Sequence, residues 1–140
     1  MFRGSGMILR LNKKHVKLLA NRAREEHPIE ICGALFGLIR ENEARVVKVV
    51  ILKNILRSEI MFQIDPEEFL KAFLDSEEEG LQHIGFFHSH SGDIKPSVRD
   101  LKYMTLWPES IWLIVSSTDY RIAAYEFNGK NFHEIPVIIE

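Results

Sequence analysis

Predicted helices separate groups of predicted strands along this chain, and this order restricts its fold more than any other feature. Three segments follow a capping residue and predict helices: residues 13–26 after Asn12, residues 66–79 after Asp65, and a segment after Ser97 that ends before Pro108. Apolar and β-branched segments predict strands at residues 7–11, 30–40, 45–53, 81–88, 111–116, 120–127 and 132–139. The Asn128-Gly129 pair predicts a two-residue hairpin turn before the last strand. We therefore expect an α/β (α+β) domain with a mixed central β-sheet and about three helices.

Length and composition favour one intracellular domain. The chain has 140 residues, and we expect residues 1–6 to be a flexible leader and residues 7–140 a single domain, with Met7 as an alternative start. The net charge of −2 provides no basic field for nucleic acid. The longest apolar run, residues 31–39, is too short to cross a membrane, and the N-terminus lacks the apolar core of a signal peptide. A single cysteine excludes an internal disulfide, and we expect a cytoplasmic protein.

The segment His88-Ser89-His90 carries the strongest chemical signal. In an extended chain, residues two apart point to the same side, so both imidazoles can converge on one ion. Asp100 follows ten residues after His90, in the first turn of the third predicted helix. Two imidazoles and one carboxylate are typical of a catalytic zinc site that leaves a fourth position for water. By spacing alone, a second interpretation is equally good: Ser97 and Asp100 only cap a helix, and the histidines only occupy a strand end.

A zinc-activated water also needs a base, and Glu30 is a candidate at the start of the neighbouring glycine-containing strand. On the sequence alone, an ordinary exposed glutamate before a strand is the simpler interpretation of Glu30. The chain contains neither an HExxH helix nor the cysteine pair of zinc deaminases.

The remaining histidines and the cysteine carry weaker signals. His15, His27, His83 and His133 have no obvious partners in the sequence, and we expect surface or capping positions for them. Cys32 lies in an apolar strand, where a free cysteine is usually a small buried hydrophobe. A cysteine–histidine protease would instead require this thiol to be exposed and paired with a base.

Taken together, these segments resemble the JAMM (MPN+) metalloprotease family. The family pattern is a glutamate, then His-Ser/Thr-His, about seven residues, a serine, two residues and an aspartate. Here it matches Pro28-Ile29-Glu30-Ile31-Cys32-Gly33, then His88-Ser89-His90, six residues, Ser97, two residues and Asp100. Further similarity lies in Gly85-Phe86-Phe87, in Asn54 followed by Phe62 and Asp65-Pro66, and in the strand at residues 111–116. The resemblance covers nearly the whole chain.

The resemblance implies an MPN/JAMM fold, which is cytidine-deaminase-like, and a specific set of roles. His88, His90 and Asp100 would bind one zinc ion, Glu30 would act as general base and acid, and Ser97 would stabilise the oxyanion. The sequence departs from the family pattern at two points: the gap between His90 and Ser97 is one residue short, and a serine replaces the proline that commonly follows the second histidine. These departures affect the expected shape of the loop more than the ligands.

The shortened loop contains two residues of interest. Ser91 is the serine that replaces the proline, and Asp93 is an alternative to Asp100 as the third metal ligand.

The resemblance also implies a substrate. Members of the family cleave ubiquitin or ubiquitin-like proteins at their C-terminal tails, and a chain this short resembles a minimal prokaryotic, archaeal-type member that acts on small modifiers or sulfur carriers. The segment at residues 45–53 either pairs with such an extended tail or is an ordinary core strand. Whether the chain forms a homodimer stays open.

Two other classes of function remain compatible with the sequence. MPN relatives without metal ligands act as assembly modules, which makes a catalytically silent scaffold one alternative. Two histidines and a carboxylate also describe the facial triad of a non-haem iron oxygenase.

Overall fold

The computed structural model describes residues 6–140, so the expected leader lies outside the described residues except for Gly6. Eight strands and three helices follow one another in this part of the chain: β1 (Ile8–Leu11), α1 (Lys13–Glu26), β2 (Cys32–Arg40), β3 (Glu43–Leu52), α2 (Pro66–Glu78), β4 (Gln82–His90), α3 (Val98–Leu106), β5 (Ile111–Ser116), β6 (Ile122–Phe127), β7 (Phe132–Ile135) and β8 (Val137–Ile139). Each helix begins at its predicted cap. Asn12, Asp65 and Ser97 accept backbone N–H groups of the first turns.

All eight strands form one mixed sheet in the order β7-β6-β5-β4-β2-β3-β1-β8. The pairs β4–β5, β1–β3 and β1–β8 are parallel, and the other neighbours are antiparallel. The predicted α+β class with a mixed sheet and three helices is therefore confirmed. The strand predicted at residues 81–88 continues through His90, so that both histidines of the motif project from β4.

The expectation of one strand at residues 132–139 is wrong, because the chain changes strand partner at Pro136. Residues before Pro136 pair with β6, whereas Val137–Ile139 pair with β1 at the other end of the strand order. Proline has no N–H to donate to a ladder, and its carbonyl accepts the N–H of Leu9 at 3.0 Å. Pro136 alone joins β7 and β8, which are the two outer strands of the sheet. The sheet must therefore curl until its two edges approach each other.

The predicted two-residue turn at Asn128-Gly129 is a four-residue loop in the structure. Phe127 pairs with Phe132, and the N–H of Asn128 donates to the carbonyl of Asn131 at 3.1 Å. The side chain of Asn128 accepts the N–H groups of Lys130 and Asn131, which makes a longer loop stable.

The central strands bury side chains on both faces of the sheet, as their nearly continuous apolar sequences require. On one face, Leu35 and Phe87 pack with Leu19 and Ala23 of α1. On the other face, Phe36 and Phe86 belong to a cluster that includes residues of α2 and α3. Side chains alternate between faces along a strand, so the histidines of β4 lie on the α2 and α3 side. No helix in residues 6–140 is long and apolar enough to cross a membrane.

We predict that Gly85→Ala destabilises the fold, because a Cβ at this position would overlap the carbonyl oxygen of Ile111 on the neighbouring strand. Relieving that overlap requires strand β4 or β5 to move, and overpacking of this kind costs roughly 1–3 kcal/mol in free energy of unfolding. Urea unfolding of the two proteins measures the difference. Gly92→Ala is the matched control, since a Cβ there meets nothing within 4 Å. Equal stability of the Gly85 variant and the control would contradict the packing argument.

Candidate metal centre

Strand β4 places two imidazoles side by side at its C-terminal end. His88 is fully buried, His90 is partly buried, and their Nε2 atoms lie 3.1 Å apart. The Nδ1 of His90 donates to the carbonyl of Asp93 at 2.8 Å, which orients its ring. The Nδ1 of His88 has no hydrogen-bond partner among the described residues, and the ring of Phe62 stacks against this imidazole at 4.5 Å between centroids. Packing therefore orients one ring and a hydrogen bond orients the other.

The first turn of α3 supplies a carboxylate to the same point. Ser97 and Asp100 form a complete capping box, in which the serine Oγ accepts the N–H of Asp100 at 3.1 Å and the serine N–H donates to Asp100 Oδ2 at 2.8 Å. The same Oδ2 atom lies 3.0 Å from the Nε2 atoms of both His88 and His90. The two interpretations that the sequence left open are thus compatible, because the cap that starts α3 also aims the carboxylate at the histidines.

Three ligand atoms form a nearly equilateral triangle, with sides of 3.0, 3.0 and 3.1 Å. A tetrahedral zinc ion with bonds of about 2.0–2.1 Å has ligand–ligand edges of about 3.3 Å. A cation between the two ring nitrogens and the carboxylate oxygen would satisfy the lone pairs of all three at once. Both the chemistry and the spacing of His88, His90 and Asp100 therefore fit a divalent metal ion.

Glu30 approaches this triangle from the neighbouring strand. The side-chain oxygen of Ser89 accepts the N–H of Ile31 at 2.8 Å, and the carbonyl of Ile31 accepts the N–H of Ser89 at 3.0 Å. These bonds extend the pairing of β2 with β4 to the residue next to Glu30. One carboxylate oxygen of Glu30 and one ring nitrogen each of His88 and His90 all lie within 4.8 Å of one another. Glu30 is only 5% exposed, and its Oε1 atom has no hydrogen-bond partner among the described residues.

Burial and neighbouring charges give the two carboxylates opposite acid–base properties. Burial raises the pKa of Glu30 to about 8, with a smaller opposing effect of His90 and a smaller supporting effect of Asp100. Burial also disfavours ionisation of Asp100, but His88, His90 and the N–H of Ser97 outweigh it and hold the pKa of Asp100 well below its usual value. A permanently ionised carboxylate suits a metal ligand, and one that binds a proton readily suits an acid–base group.

The pKa values of the two histidines shift in opposite directions. Burial lowers the pKa of His88. Burial also lowers the pKa of His90, but its hydrogen bond with Asp100 and its other contacts outweigh this effect, and the net pKa of His90 is raised.

The shortened loop between His90 and Ser97 is held by hydrogen bonds from outside it. The carbonyls of Ser91, Gly92 and Ile94 accept bonds from Thr118, Arg121 and Tyr125 at 3.3, 3.3 and 3.0 Å. These contacts hold the loop that leads to Ser97 and Asp100, although this loop is one residue shorter than in the family pattern.

Asp93 contacts the histidine pair through its backbone carbonyl and not through its carboxylate. Its carbonyl accepts the ring N–H of His90, and its carboxylate accepts the N–H of Lys95 at 3.2 Å. The expectation of Asp93 as a rival ligand therefore gains no support from the geometry, in contrast to Asp100.

The other histidines and Cys32 lie apart from the triangle. His83 packs among Phe36, Phe69 and Phe86, and burial lowers its pKa to about 4, so that its expected surface or capping role is wrong. Its place in this aromatic cluster follows from contacts with α2 that a local sequence pattern does not contain.

Cys32 is fully buried, as expected, and burial raises the pKa of its thiol to about 12. A thiol with such a pKa stays protonated at neutral pH and is a poor nucleophile.

Three contacts that orient the site were not predicted from the sequence. Phe62 stacks on His88, Asn54 donates to the carbonyl of Glu30 at 3.0 Å, and the hydroxyl of Ser89 joins the two strands. The alternation of side chains in His88-Ser89-His90 already puts the serine on the opposite face from the histidines, which is the one signal that could have revealed its role.

An open cleft of about 420 Å³ gives access to these groups. Glu30, His90 and Ser97 lie in its wall, together with Glu59 and Ile60 from the loop that follows β3. The cleft therefore brings the segment before β2, the end of β4 and the start of α3 to one surface.

Proteins with curated names resemble this chain over most of its length. A desampylase from Pyrococcus furiosus is 42% identical over 115 residues, which are 80% of this chain and 77% of the relative. A desampylase from Haloferax volcanii is 33% identical over 129 residues, covering 87% of this chain and 89% of the relative. A CysO-cysteine peptidase from Mycobacterium tuberculosis is 29% identical over 139 residues, covering 96% and 93%.

Solved structures share the fold. A protein from Desulfitobacterium hafniense, determined in solution, superimposes with a TM-score of 0.85 at 29% identity and covers 96% of this chain and 93% of its own. A JAB1/MPN domain protein from Archaeoglobus fulgidus superimposes with a TM-score of 0.60 at 21% identity, covering 96% of this chain and all of its own.

The family described as prokaryotic homologs of the JAB domain matches residues 12–128. This match extends from the cap of α1 to the loop after β6, and it contains Glu30, both histidines of β4, Ser97 and Asp100. The chain belongs to this family of prokaryotic JAB-domain proteins.

Proposed function

We propose that this protein is a zinc-dependent metalloprotease that hydrolyses the peptide or isopeptide bond at the C-terminus of a ubiquitin-like protein. The observation that carries this proposal is the convergence of three ligand atoms, 3.0–3.1 Å apart, beside a buried carboxylate with a raised pKa. Neither a scaffold nor a structural ion site needs an acid–base group in that position.

His88, His90 and Asp100 would hold one zinc ion through the two Nε2 atoms and Oδ2. Zinc supplies a Lewis acid that activates water and polarises a carbonyl group. Asp100 is preferred to Glu30 as the third ligand, because its Oδ2 atom lies 3.0 Å from both ring nitrogens and its pKa is well below the usual value.

Glu30 would act as general base and general acid. Its carboxylate takes a proton from the attacking water and returns it to the leaving amine, which requires a group that gains and loses a proton easily at neutral pH. Burial provides this property by raising the pKa of Glu30 to about 8. The unpartnered Oε1 atom is available for the proton because no described protein group competes for it.

Ser97 would stabilise the oxyanion through its hydroxyl group. Its Oγ atom accepts the N–H of Asp100, which leaves the hydroxyl proton free to donate toward the cleft. A single such donor in a desolvated site contributes roughly 3 kcal/mol to the stabilisation of the transition state.

The substrate class is inferred from the relatives and from the open cleft. The relatives named desampylase and CysO-cysteine peptidase indicate conjugates of small modifier or carrier proteins, and we extend this to the present chain. An extended tail could also pair with β3. On that side of the strand β1 pairs only with Glu43–Arg45, so no described strand lies beside the later residues of β3. The pairing of a tail with β3 stays a prediction.

The metal content of the protein tests the proposed ligands. Protein purified without added metal should contain close to one zinc ion per chain, and Asp100→Asn should lose it because the amide is a weaker, uncharged ligand. The loss of affinity should exceed the roughly 10–100-fold cost of removing an outer partner of a metal ligand. Elemental analysis measures the content, with Asp93→Asn as the matched control from the neighbouring loop. A filled Asp100→Asn protein beside an empty Asp93→Asn protein would show that the third ligand is wrongly assigned.

Cleavage of a defined conjugate tests the proposed substrate class. The enzyme should release a small ubiquitin-fold protein ending in Gly-Gly from a lysine-linked conjugate, and a chelator should stop the reaction. Unfolded casein should stay intact, since the chain is proposed to recognise a folded modifier with an extended tail. Gel electrophoresis of both substrates tests this directly. Rapid digestion of casein without cleavage of any such conjugate would overturn the substrate class.

Substitution of Glu30 separates a hydrolase from an oxygenase with the same ligands. Glu30→Gln keeps the size of the side chain but removes its ability to accept a proton, so zinc should stay bound while cleavage falls by about 10²–10⁴-fold. Ser97→Ala should also retain zinc, with a loss of roughly 10²–10³-fold. Single-turnover cleavage measured beside zinc content gives both values. Near-normal cleavage by zinc-loaded Glu30→Gln would exclude the proposed mechanism.

A further inference from the structure

Asn54, the second residue after β3, uses the full hydrogen-bonding capacity of its side chain: three bonds lie within its own loop and one reaches Glu30. It is buried, and its Nδ2 donates to the carbonyls of Glu30 and Met61 at 3.0 and 3.2 Å. Its Oδ1 accepts the N–H groups of Leu56 and Gln63, both at 3.1 Å. Two donors and two acceptor positions are all that an amide side chain offers. Asn54 therefore ties the loop between β3 and α2 to the backbone of Glu30.

The backbone of Glu30 is fixed on both sides, although no bond to its side-chain Oε1 is present among the described residues. The N–H of Glu30 donates to the carbonyl of Ser58 at 2.9 Å, and its carbonyl accepts the Nδ2 of Asn54. The next N–H, that of Ile31, donates to the hydroxyl of Ser89 at 2.8 Å. The location of the carboxylate thus follows from the backbone, and two of these three bonds come from the loop that Asn54 organises.

The same loop also reaches the metal side of the site. Phe62 is 1% exposed and stacks on the ring of His88, while Glu59 and Ile60 lie in the wall of the cleft. Asn54 also holds the residues on both sides of Phe62, because its side chain bonds to the carbonyl of Met61 and to the N–H of Gln63. Zinc content measured beside the rate therefore separates an effect on His88 from an effect on Glu30.

We propose that Asn54 is a positioning residue that holds Glu30 at the distance from the metal ligands that proton transfer requires. This inference rests on the proposed function, in which Glu30 is the acid–base group. It assigns a role in the reaction to a side chain that touches neither the ligands nor the substrate cleft. Displacing a reacting group by about 1 Å can reduce a rate by roughly 10²-fold, so a bond that fixes the backbone of the base has a measurable effect.

Asn54→Asp tests the proposal with the smallest change of shape. The variant keeps an acceptor for Leu56 and Gln63 but loses both donors, and it places a carboxylate oxygen against the carbonyl of Glu30. We expect kcat to fall by roughly 10²-fold, with KM and zinc content unchanged. Asn128→Asp is the matched control, because this asparagine also accepts two loop N–H groups but lies at the hairpin between β6 and β7. Its kcat should equal that of the wild type.

A double-mutant cycle distinguishes positioning of Glu30 from a general structural role. In a Glu30→Gln protein, the added Asn54→Asp change should lower the remaining rate by no more than about twofold, the usual error of additivity. If Asn54→Asp lowers the rate by the same factor in the wild type and in the Glu30→Gln protein, Asn54 acts independently of Glu30. That result would overturn the inference. Asn54→Ser, which removes the same donors without adding charge, serves for the same cycle if the aspartate variant does not fold.

Amide hydrogen exchange provides a readout that is independent of activity. Exchange at the N–H of Glu30 should be faster in the Asn54 variant than in the wild type, while exchange at Val16 in α1 should not change. Unchanged exchange at Glu30 would also contradict the proposal. A wild-type protein that cleaves no conjugate would overturn the proposed function itself. If the wild type is active but the effects of the Asn54 and Glu30 substitutions on the rate are additive, only the role of Asn54 is overturned.

Discussion

One carboxylate oxygen joins the elements that make the site. Oδ2 of Asp100 accepts the N–H of Ser97 and lies 3.0 Å from the Nε2 atoms of His88 and His90. It therefore links the start of α3 to the end of β4, two elements that have only a loop between them. The 2.8 Å bond from the N–H of Ser97 to this ionised oxygen is charge-assisted and therefore stronger than a neutral hydrogen bond. The rest of the site is arranged around this atom, with Glu30 approaching from β2.

The arrangement of the histidines and of the helix cap around this atom could be predicted, because each depends on residues that are close together in the sequence. Alternation along a strand places His88 and His90 on one side, and the Ser97-x-x-Asp100 spacing specifies a capping box without knowledge of the fold. Glu30 was weaker as a prediction, since its distance from the histidines depends on how β2 pairs with β4. The resemblance to a family, and not the residue pattern alone, selected it from the other glutamates.

Other features depend on contacts between distant segments and could not be read from the sequence. The four bonds of Asn54 come from a loop without regular secondary structure, and the stack of Phe62 on His88 depends on the packing of that loop. The assignment of residues 132–139 to one strand failed for the same reason. Propensity identifies a strand but not its neighbour, and only the curl of the sheet gives Val137–Ile139 a new partner.

The pairing of β1 with β8 has a consequence for how the chain folds. β1 is the first described strand, yet it lies between β3 and the last strand, and the N–H of Lys13 bonds to the carbonyl of Glu140. Contacts so far apart in sequence require a large loss of chain entropy before they form, and they slow folding. During synthesis the outer edge of β1 therefore stays uncovered until residues 137–139 have been made. The proposed site residues all lie between Glu30 and Asp100, but the contacts that hold their loop come from Thr118, Arg121 and Tyr125. The site can therefore reach its final form only after β5 and β6 have been synthesised.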